Sequence, residues 1–300
     1  MDRKYVKQVE LVVSALPLVS EEEAFALKGG TAINLFELNL PRLSVDIDLT
    51  YTLITRREEA IVEINAALGR IMTRLVKHGI ACKMTGTPVS RKLHCFTPDA
   101  AIKIEPNYIL RGTACPVRKL DVCDRVQDLL GFASMNVLSF PELYGGKICA
   151  ALDRQHPRDL FDMTQFYKRH SLGEVKAGFL ALALGHNRPL HELLNPIMHD
   201  QREIFAQQFD GMSDEPFSYD EHCATFERLR GEILSMLTDE DRRHLLDFVS
   251  LAGDPSDFGI PHLAELPAIV WKRSNLEKLR ATNPAKFAEQ SDALKRLLEA

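Results

Sequence analysis

Apolar residues recur along this chain in two rhythms. Up to Tyr108, short runs alternate with polar positions at period two between two helical stretches; beyond Asp121 the spacing becomes three and four residues. Residues 2–16 place Val6, Val9, Val12 and Val13 at helical spacing. Ala24 to Leu27 reads as a first strand, Thr31 to Leu38 as a brief helix, Asn39 to Ser44 as a connector around Pro41, and Val45 to Thr52 as a second strand. Thr55 to Gly79 has the marks of a helix. Thr55 stands at a capping position with Glu58 three residues on, Ile61, Ile64, Leu68, Ile71 and Leu75 form the stripe, and Gly79 terminates it. Ile80 to Thr85, Lys92 to Phe96 and Ala101 to Tyr108 are three further strands, parted by Gly86, Pro88, Pro98 and Asp99. After Asp121 the pattern predicts helices over 139–154, 173–184, 190–208, 220–236, 239–250, 262–281 and 284–298, broken at Gly185, 211–216 and 253–261. The fold class is therefore α/β (α+β), with a mixed-sheet core over residues 1–125 and a helical region over 126–300.

Composition narrows this only slightly. Three hundred residues, 45% hydrophobic and 26% charged, are those of an ordinary globular protein. A net charge of −5 excludes a generally basic protein that coats nucleic acid, but leaves room for a local basic groove, because clustering sets the footprint. The six cysteines form no C-x-x-C pair and no zinc spacing with histidine. The longest apolar runs, Leu11 to Val19 and Ala177 to Leu184, are too short to span a bilayer, and the expected location is the cytoplasm.

Candidate chemistry concentrates in Leu27 to Leu49. Gly29 and Gly30, followed by Thr31, are suited to a turn whose backbone approaches phosphate. Asp46 and Asp48 are two apart, so on an extended strand they share one face while Val45, Ile47 and Leu49 share the other. Two carboxylates beside a phosphate turn suit Mg²⁺ (or Mn²⁺), which binds through one or two carboxylates plus substrate phosphates. The implied reaction is phosphoryl or nucleotidyl transfer from a nucleoside triphosphate. Elsewhere, Arg70, Arg74 and Lys77 form a helical row that reads as solvated surface or as an RNA contact. Gly145 and Gly146 inside a helix imply a close approach by substrate or sheet, and Trp271, beside Lys272 and Arg273, reads as core ahead of a residue that stacks on nucleic acid.

The order and spacing of these residues resemble the AbiEii/AbiGii toxin family of nucleotidyltransferases, whose motif K-G-G-T-A-x-N-L followed by R-x-S-x-D-I-D-L is matched at Lys28 to Leu35 and Arg42 to Leu49. The setting of Lys147, ahead of Arg154 and the run Arg158-Asp159-Leu160-Phe161-Asp162, is similar to a second block of that family. The resemblance implies a nucleotidyltransferase fold and a third carboxylate on the strand Ala101 to Tyr108. Alternation there turns Ile102 and Ile104 inward and Glu105 outward, making Glu105 the candidate, with Asp99 as fallback. It further implies that Asp46, Asp48 and Glu105 bind metal and that Lys28, Gly29, Gly30 and Thr31 hold the nucleotide. Lys147 contacts the triphosphate, Asp159 ahead of Asp162 completes the catalytic set, and Arg154 and Arg158 act as phosphate or carboxylate partners. By the same resemblance the protein is a toxin of a toxin–antitoxin, abortive-infection system with a cognate antitoxin, and its acceptor is the tRNA 3′ end. The rival readings are nucleotide transfer to a small molecule or protein side chain, and nucleotide binding without catalysis.

Overall fold

The computed structural model of the chain describes residues 1–299 and divides it into two units, residues 1–139 with 209–216, and residues 140–208 with 217 onward. In the first unit, α1 (Arg3–Ser20) leads to β1 (Phe25–Lys28), to α2 (Gly29–Ala32), which continues as a π turn (Ile33–Glu37), and to β2 (Ile47–Tyr51). There follow α3 (Arg57–Lys77), β3 (Ala81–Thr85), β4 (Lys92–Phe96), β5 (Ala101–Asn107), β6 (Arg118–Asp121), α4 (Asp124–Leu130) and β7 (Ser134–Val137). All seven strands form one mixed sheet in the order β3-β4-β5-β2-β1-β7-β6. The central pairs are β1 antiparallel to β2 and β2 parallel to β5, with Asp48 opposite Lys28 on one side and Glu105 on the other.

The helix stripes read from the sequence are what this sheet buries. Val9, Val12 and Leu16 of α1 and Ile64, Leu68 and Ile71 of α3 are fully buried, as are Leu27, Ile47, Leu49, Leu93 and Ile104 from the strands. Hiding these side chains from water is worth about 1.5–3 kcal/mol each. Arg70 and Arg74 do not form a free cationic row. Both close on the buried carboxylate of Glu22, at 2.7 and 2.5 Å, tying α3 to the turn before β1, and the charge pair holds that carboxyl below its usual range although burial opposes this.

The sheet runs further along the chain than alternation indicated. β6 and β7 fall around and after Asp121, where helix alone was expected, and the unit extends to Ser139 instead of residue 125. Each of these strands has only four residues, too few for a period to show, and pairing decides them: β7 lies parallel to β1 and antiparallel to β6. The segment 209–216 belongs to this unit as well, through the bridge between Arg42 and Ser213 and the bond of Arg125 to Asp214 at 2.8 Å.

The second unit is helical: α5 (Phe140–Asp153), α6 (Pro157–Tyr167), α7 (Lys176–Leu184), α8 (Leu190–Leu194), α9 (Arg202–Gln208), α10 (Tyr219–Ser235), α11 (Asp239–Ser250), α12 (Pro267–Thr282) and α13 (Pro284–Glu299). The single helix expected over 190–208 is two, because residues 195–200, with Pro196, interrupt it. The glycine of α5 answers to another helix. A Cβ on Gly145 would sit 2.5 Å from the Gly178 backbone of α7, so the two helices cross with main chain against main chain. Trp271 departs from the core role expected of it: it is 57% exposed, because the buried stripe of α12 runs through Ala268, Ile269 and Leu276. No described helix is long and apolar enough to cross a membrane.

Candidate active site

β1 ends at Lys28 in extended conformation and the chain turns at Gly29 with φ of 73°. This left-handed conformation disfavours any residue with a Cβ. There is a second reason for glycine at this point. A Cβ there would lie 2.8 Å from Oδ2 of Asp48, so the missing side chain makes room for that carboxylate. Gly30 answers to the other half of the motif, since its Cβ would lie 2.6 Å from Nη2 of Arg42 and 2.8 Å from Oγ of Ser44. The buried guanidinium of Arg42 and the Ser44 hydroxyl thus brace the turn from behind. In place of the phosphate contact expected of Thr31, its buried hydroxyl donates to the carbonyl of Asp46 at 2.5 Å and lies 3.1 Å from Oγ of Ser44. Thr31 therefore positions the strand entry that carries Asp46.

Asp46 lies just ahead of β2, and its Oδ1 accepts the Lys103 N–H at 3.3 Å. Asp48 and Glu105 are register partners on parallel neighbours, so they share a face of the sheet. Nζ of Lys92 approaches Oε1 of Glu105 at 2.9 Å, a lysine that sequence reasoning passed over because strand alternation says nothing about which residue lies opposite. Asp99 lies exposed in the turn between β4 and β5, outside this register. Lys28, Asp48, Lys92, Glu105 and Tyr108 line a cleft of about 310 Å³. Tyr108 and the loop before β4 are fixed from α3. Asn65 Nδ2 donates to the Pro88 carbonyl at 2.8 Å and its Oδ1 lies 3.1 Å from the Tyr108 hydroxyl, whose pKa burial pushes up to about 12.

Among the described residues no three His, Cys, Asp or Glu side chains come together in a group that could hold a metal ion. The donor set still fits a hard cation. Asp48 and Glu105 offer carboxylate oxygens on one face, and Mg²⁺ binds through one or two carboxylates with its remaining ligands from water and phosphate.

In the second unit, α6 opens on Pro157 with the His156 ring accepting the Arg158 N–H at 3.1 Å, which aims Asp159 and Asp162 along one face toward α5. Lys147 of α5 meets them with its Nζ, 2.7 Å from Oδ1 of Asp159 and 2.8 Å from Oδ2 of Asp162. All three side chains are enclosed, with exposures of 5%, 1% and 0%. Arg154, largely exposed, adds bonds to Asp159 at 2.6 and 3.1 Å. Burial alone would raise the Asp159 pKa, but Lys147 and Arg154 hold it well below the usual carboxylate range. Asp162 is thus a fully buried partner of Lys147 and not a surface carboxylate. The ammonium that the resemblance assigns to the triphosphate is thus bonded to two aspartates of its own unit.

Carboxylates held in register over a glycine turn, on a mixed sheet, define the nucleotidyltransferase class. Within it the chain belongs to the AbiEii family: the family described as "Nucleotidyl transferase AbiEii toxin, Type IV TA system" matches residues 11–256. The protein is a nucleotidyltransferase toxin of that type IV toxin–antitoxin family, which implies a nucleoside triphosphate substrate and a cognate antitoxin. The fold is shared with MenT4, the nucleotidyltransferase toxin Rv2826c from Mycobacterium tuberculosis H37Rv, at 15% identity over 91% of this chain and 93% of that one, with a TM-score of 0.59. A structure described as "tRNA-processing enzyme (apo form I)" aligns at 9% identity over 97% of this chain and 98% of its own, with a TM-score of 0.22, too low to bear on the fold. No curated relative matches the chain.

Gly29→Ala tests the tie between turn and carboxylate. It is expected to destabilise the protein by about 1–2 kcal/mol through the left-handed backbone. Nucleotide transfer is expected to fall by about 10²-fold because the new methyl displaces Asp48. Urea denaturation and a transfer assay on the same sample read both effects, and unchanged transfer would show that the close approach to Asp48 has no catalytic meaning.

Proposed function

We propose that the protein transfers a nucleotide from a nucleoside triphosphate to an acceptor RNA, foremost the 3′ end of tRNA, in a reaction dependent on Mg²⁺ or Mn²⁺ held by Asp46, Asp48 and Glu105. The observation that carries this reading is the register of Asp48 with Glu105 beside the Gly29 turn, with Asp46 two residues ahead of Asp48. The cation supplies neutralisation of triphosphate charge and polarisation of the acceptor hydroxyl. The hydroxyl oxygen bonds to the α-phosphorus, the bond from that phosphorus to the bridging oxygen breaks, pyrophosphate leaves, and the hydroxyl proton is taken up by the carboxylate cluster. Lys28 and the backbone of Gly29 and Gly30 bind phosphate. Thr31 acts through Asp46, and Lys92 holds Glu105 in place. The family's second block supports a part for Lys147, Arg158 and the two aspartates in the activity. Within the helical unit Lys147 neutralises Asp159 and Asp162, and Asp159 ranks ahead of Asp162 because it takes bonds from both Lys147 and Arg154. The place of action is the cytoplasm, where triphosphates and tRNA coexist.

The test is to incubate the protein with each α-labelled nucleoside triphosphate and Mg²⁺, once with total tRNA and once with lysate protein. Label on the tRNA 3′ end is the expected result. Label confined to protein would overturn the RNA acceptor and favour protein modification instead.

A further inference from the structure

The side of β3, β4 and β5 that faces away from the core has a composition that stability does not account for. On the core side, Leu93, Cys95, Ile102 and Ile104 are buried. On the other side the register sets Lys83 opposite His94 and His94 opposite Lys103, with Ala81, Phe96 and Ala101 forming the next row. Lys83 and Lys103 are exposed, and Phe96 is 38% exposed. Cross-strand pairs usually stabilise a sheet through opposite charges or packed side chains. Here two lysines flank a histidine with no acid in the row, and a phenylalanine is left facing water. Among the described residues of these three strands, Glu105 is the one acid on this side, and Lys92 already neutralises it. The row also has a direction. Its inner end, Lys103, gives its backbone N–H to Asp46, the first carboxylate of the candidate site.

We propose that this open face binds the single-stranded end of the acceptor RNA, with Phe96 as a base-stacking platform and Lys83, His94 and Lys103 as a row that carries the phosphates toward Asp46. The proposal rests on the RNA-transfer reading given above and deepens it by naming the surface. Its chemistry is that of single-strand recognition. Aromatic side chains on an exposed sheet accept any base by its π face, and lysines alongside follow the backbone without reading sequence. Two strand spacings separate Lys83 from Lys103, about 10 Å, so the row is compact enough to act on one short segment of strand. The net charge of −5 makes such a row necessary, since the molecule as a whole repels RNA and only local clustering attracts it. An acidic polypeptide would satisfy the lysines but leave the exposed ring without a role, which sets RNA apart from a protein partner.

The test uses the full chain and a fluorescein-labelled single-stranded RNA oligonucleotide, with binding read by anisotropy over a range of salt. Phe96→Ala is expected to raise Kd by about 10-fold, within the loss of one base–aromatic stack, and Phe96→Trp to restore it. Lys83→Ala with Lys103→Ala is expected to flatten the slope of log K against log salt by about 0.7 per lysine removed. In the transfer assay both variants raise KM for RNA while kcat and KM for the triphosphate stay near wild type. These positions are exposed, so matching thermal melts exclude unfolding. Unchanged Kd and KM in both variants would overturn the surface. So would equal affinity for poly-glutamate with the same sensitivity to Phe96→Ala, since that would mark an acidic protein partner. If wild type binds RNA through this face yet transfers no nucleotide, the surface stands and the proposed reaction falls.

Discussion

Asp48→Asn is expected to lower nucleotide transfer by about 10³-fold while leaving the protein folded. Asparagine keeps the shape of aspartate beside Gly29, where the carboxylate fits the space that a Cβ would fill, and opposite Glu105 and Lys28 in the sheet. It removes the charge that, in the proposed reaction, holds a divalent cation. Losing a metal ligand's share of transition-state stabilisation, about 4 kcal/mol, corresponds to roughly three decades in rate. The comparison with Asp99→Asn makes the result specific, because that aspartate lies exposed in the turn before β5 and its substitution leaves transfer unchanged. Matching melting temperatures for wild type and both variants complete the measurement. Transfer retained within about 10-fold in Asp48→Asn would remove the metal role from this strand. Abolished transfer with triphosphate binding retained would leave no room for a protein that only binds nucleotides.

The second large effect is on stability. Lys147→Met is expected to destabilise the helical unit by about 3–5 kcal/mol, the usual consequence of removing one partner from a buried ion network. The ammonium lies between Asp159 and Asp162, which sit three residues apart on one helical face and repel each other without it. Urea denaturation at neutral pH reads the loss. Adding Asp159→Asn and Asp162→Asn to Lys147→Met removes the stranded charges and is expected to recover part of the stability. The pH dependence gives an independent check. Asp159 is depressed in the folded state, so its contribution is fully present above the ordinary carboxylate pKa near 3.9 and is lost as pH falls below it toward the folded value. The difference between wild type and Lys147→Met is therefore expected to shrink on acidification. A difference that stays constant from pH 6 to pH 3 would show that the buried charges do not set the stability of this unit.

Much of the candidate site was legible because it depends on short-range rules. The glycine pair followed by Asp46 and Asp48 is a local pattern, and strand alternation alone turns Glu105 to the face opposite Ile102 and Ile104. The buried stripes of α1 and α3 follow from helical period in the same way. Residues whose role depends on a partner far along the chain were read differently or missed. Thr31 looks like a phosphate ligand until Asp46, fifteen residues on, takes its hydroxyl. Arg70 and Arg74 look like a solvated or RNA-facing row until Glu22 closes on them. Trp271, apolar and inside a helix, reads as core until the packing of α12 shows which stripe is buried.

The sequence by itself thus determined the class of fold, the turn at Gly29, the outward face of Asp48 and the family, because backbone conformation and side-chain alternation are properties of neighbouring residues. Only the tertiary structure decided the pairing of Glu105 with Asp48 and Lys92, the closure of Lys147 on two aspartates, the strands β6 and β7, and the row of Lys83, His94 and Lys103. Strand register and helix packing join positions tens of residues apart, and no local pattern encodes which residue will stand opposite which.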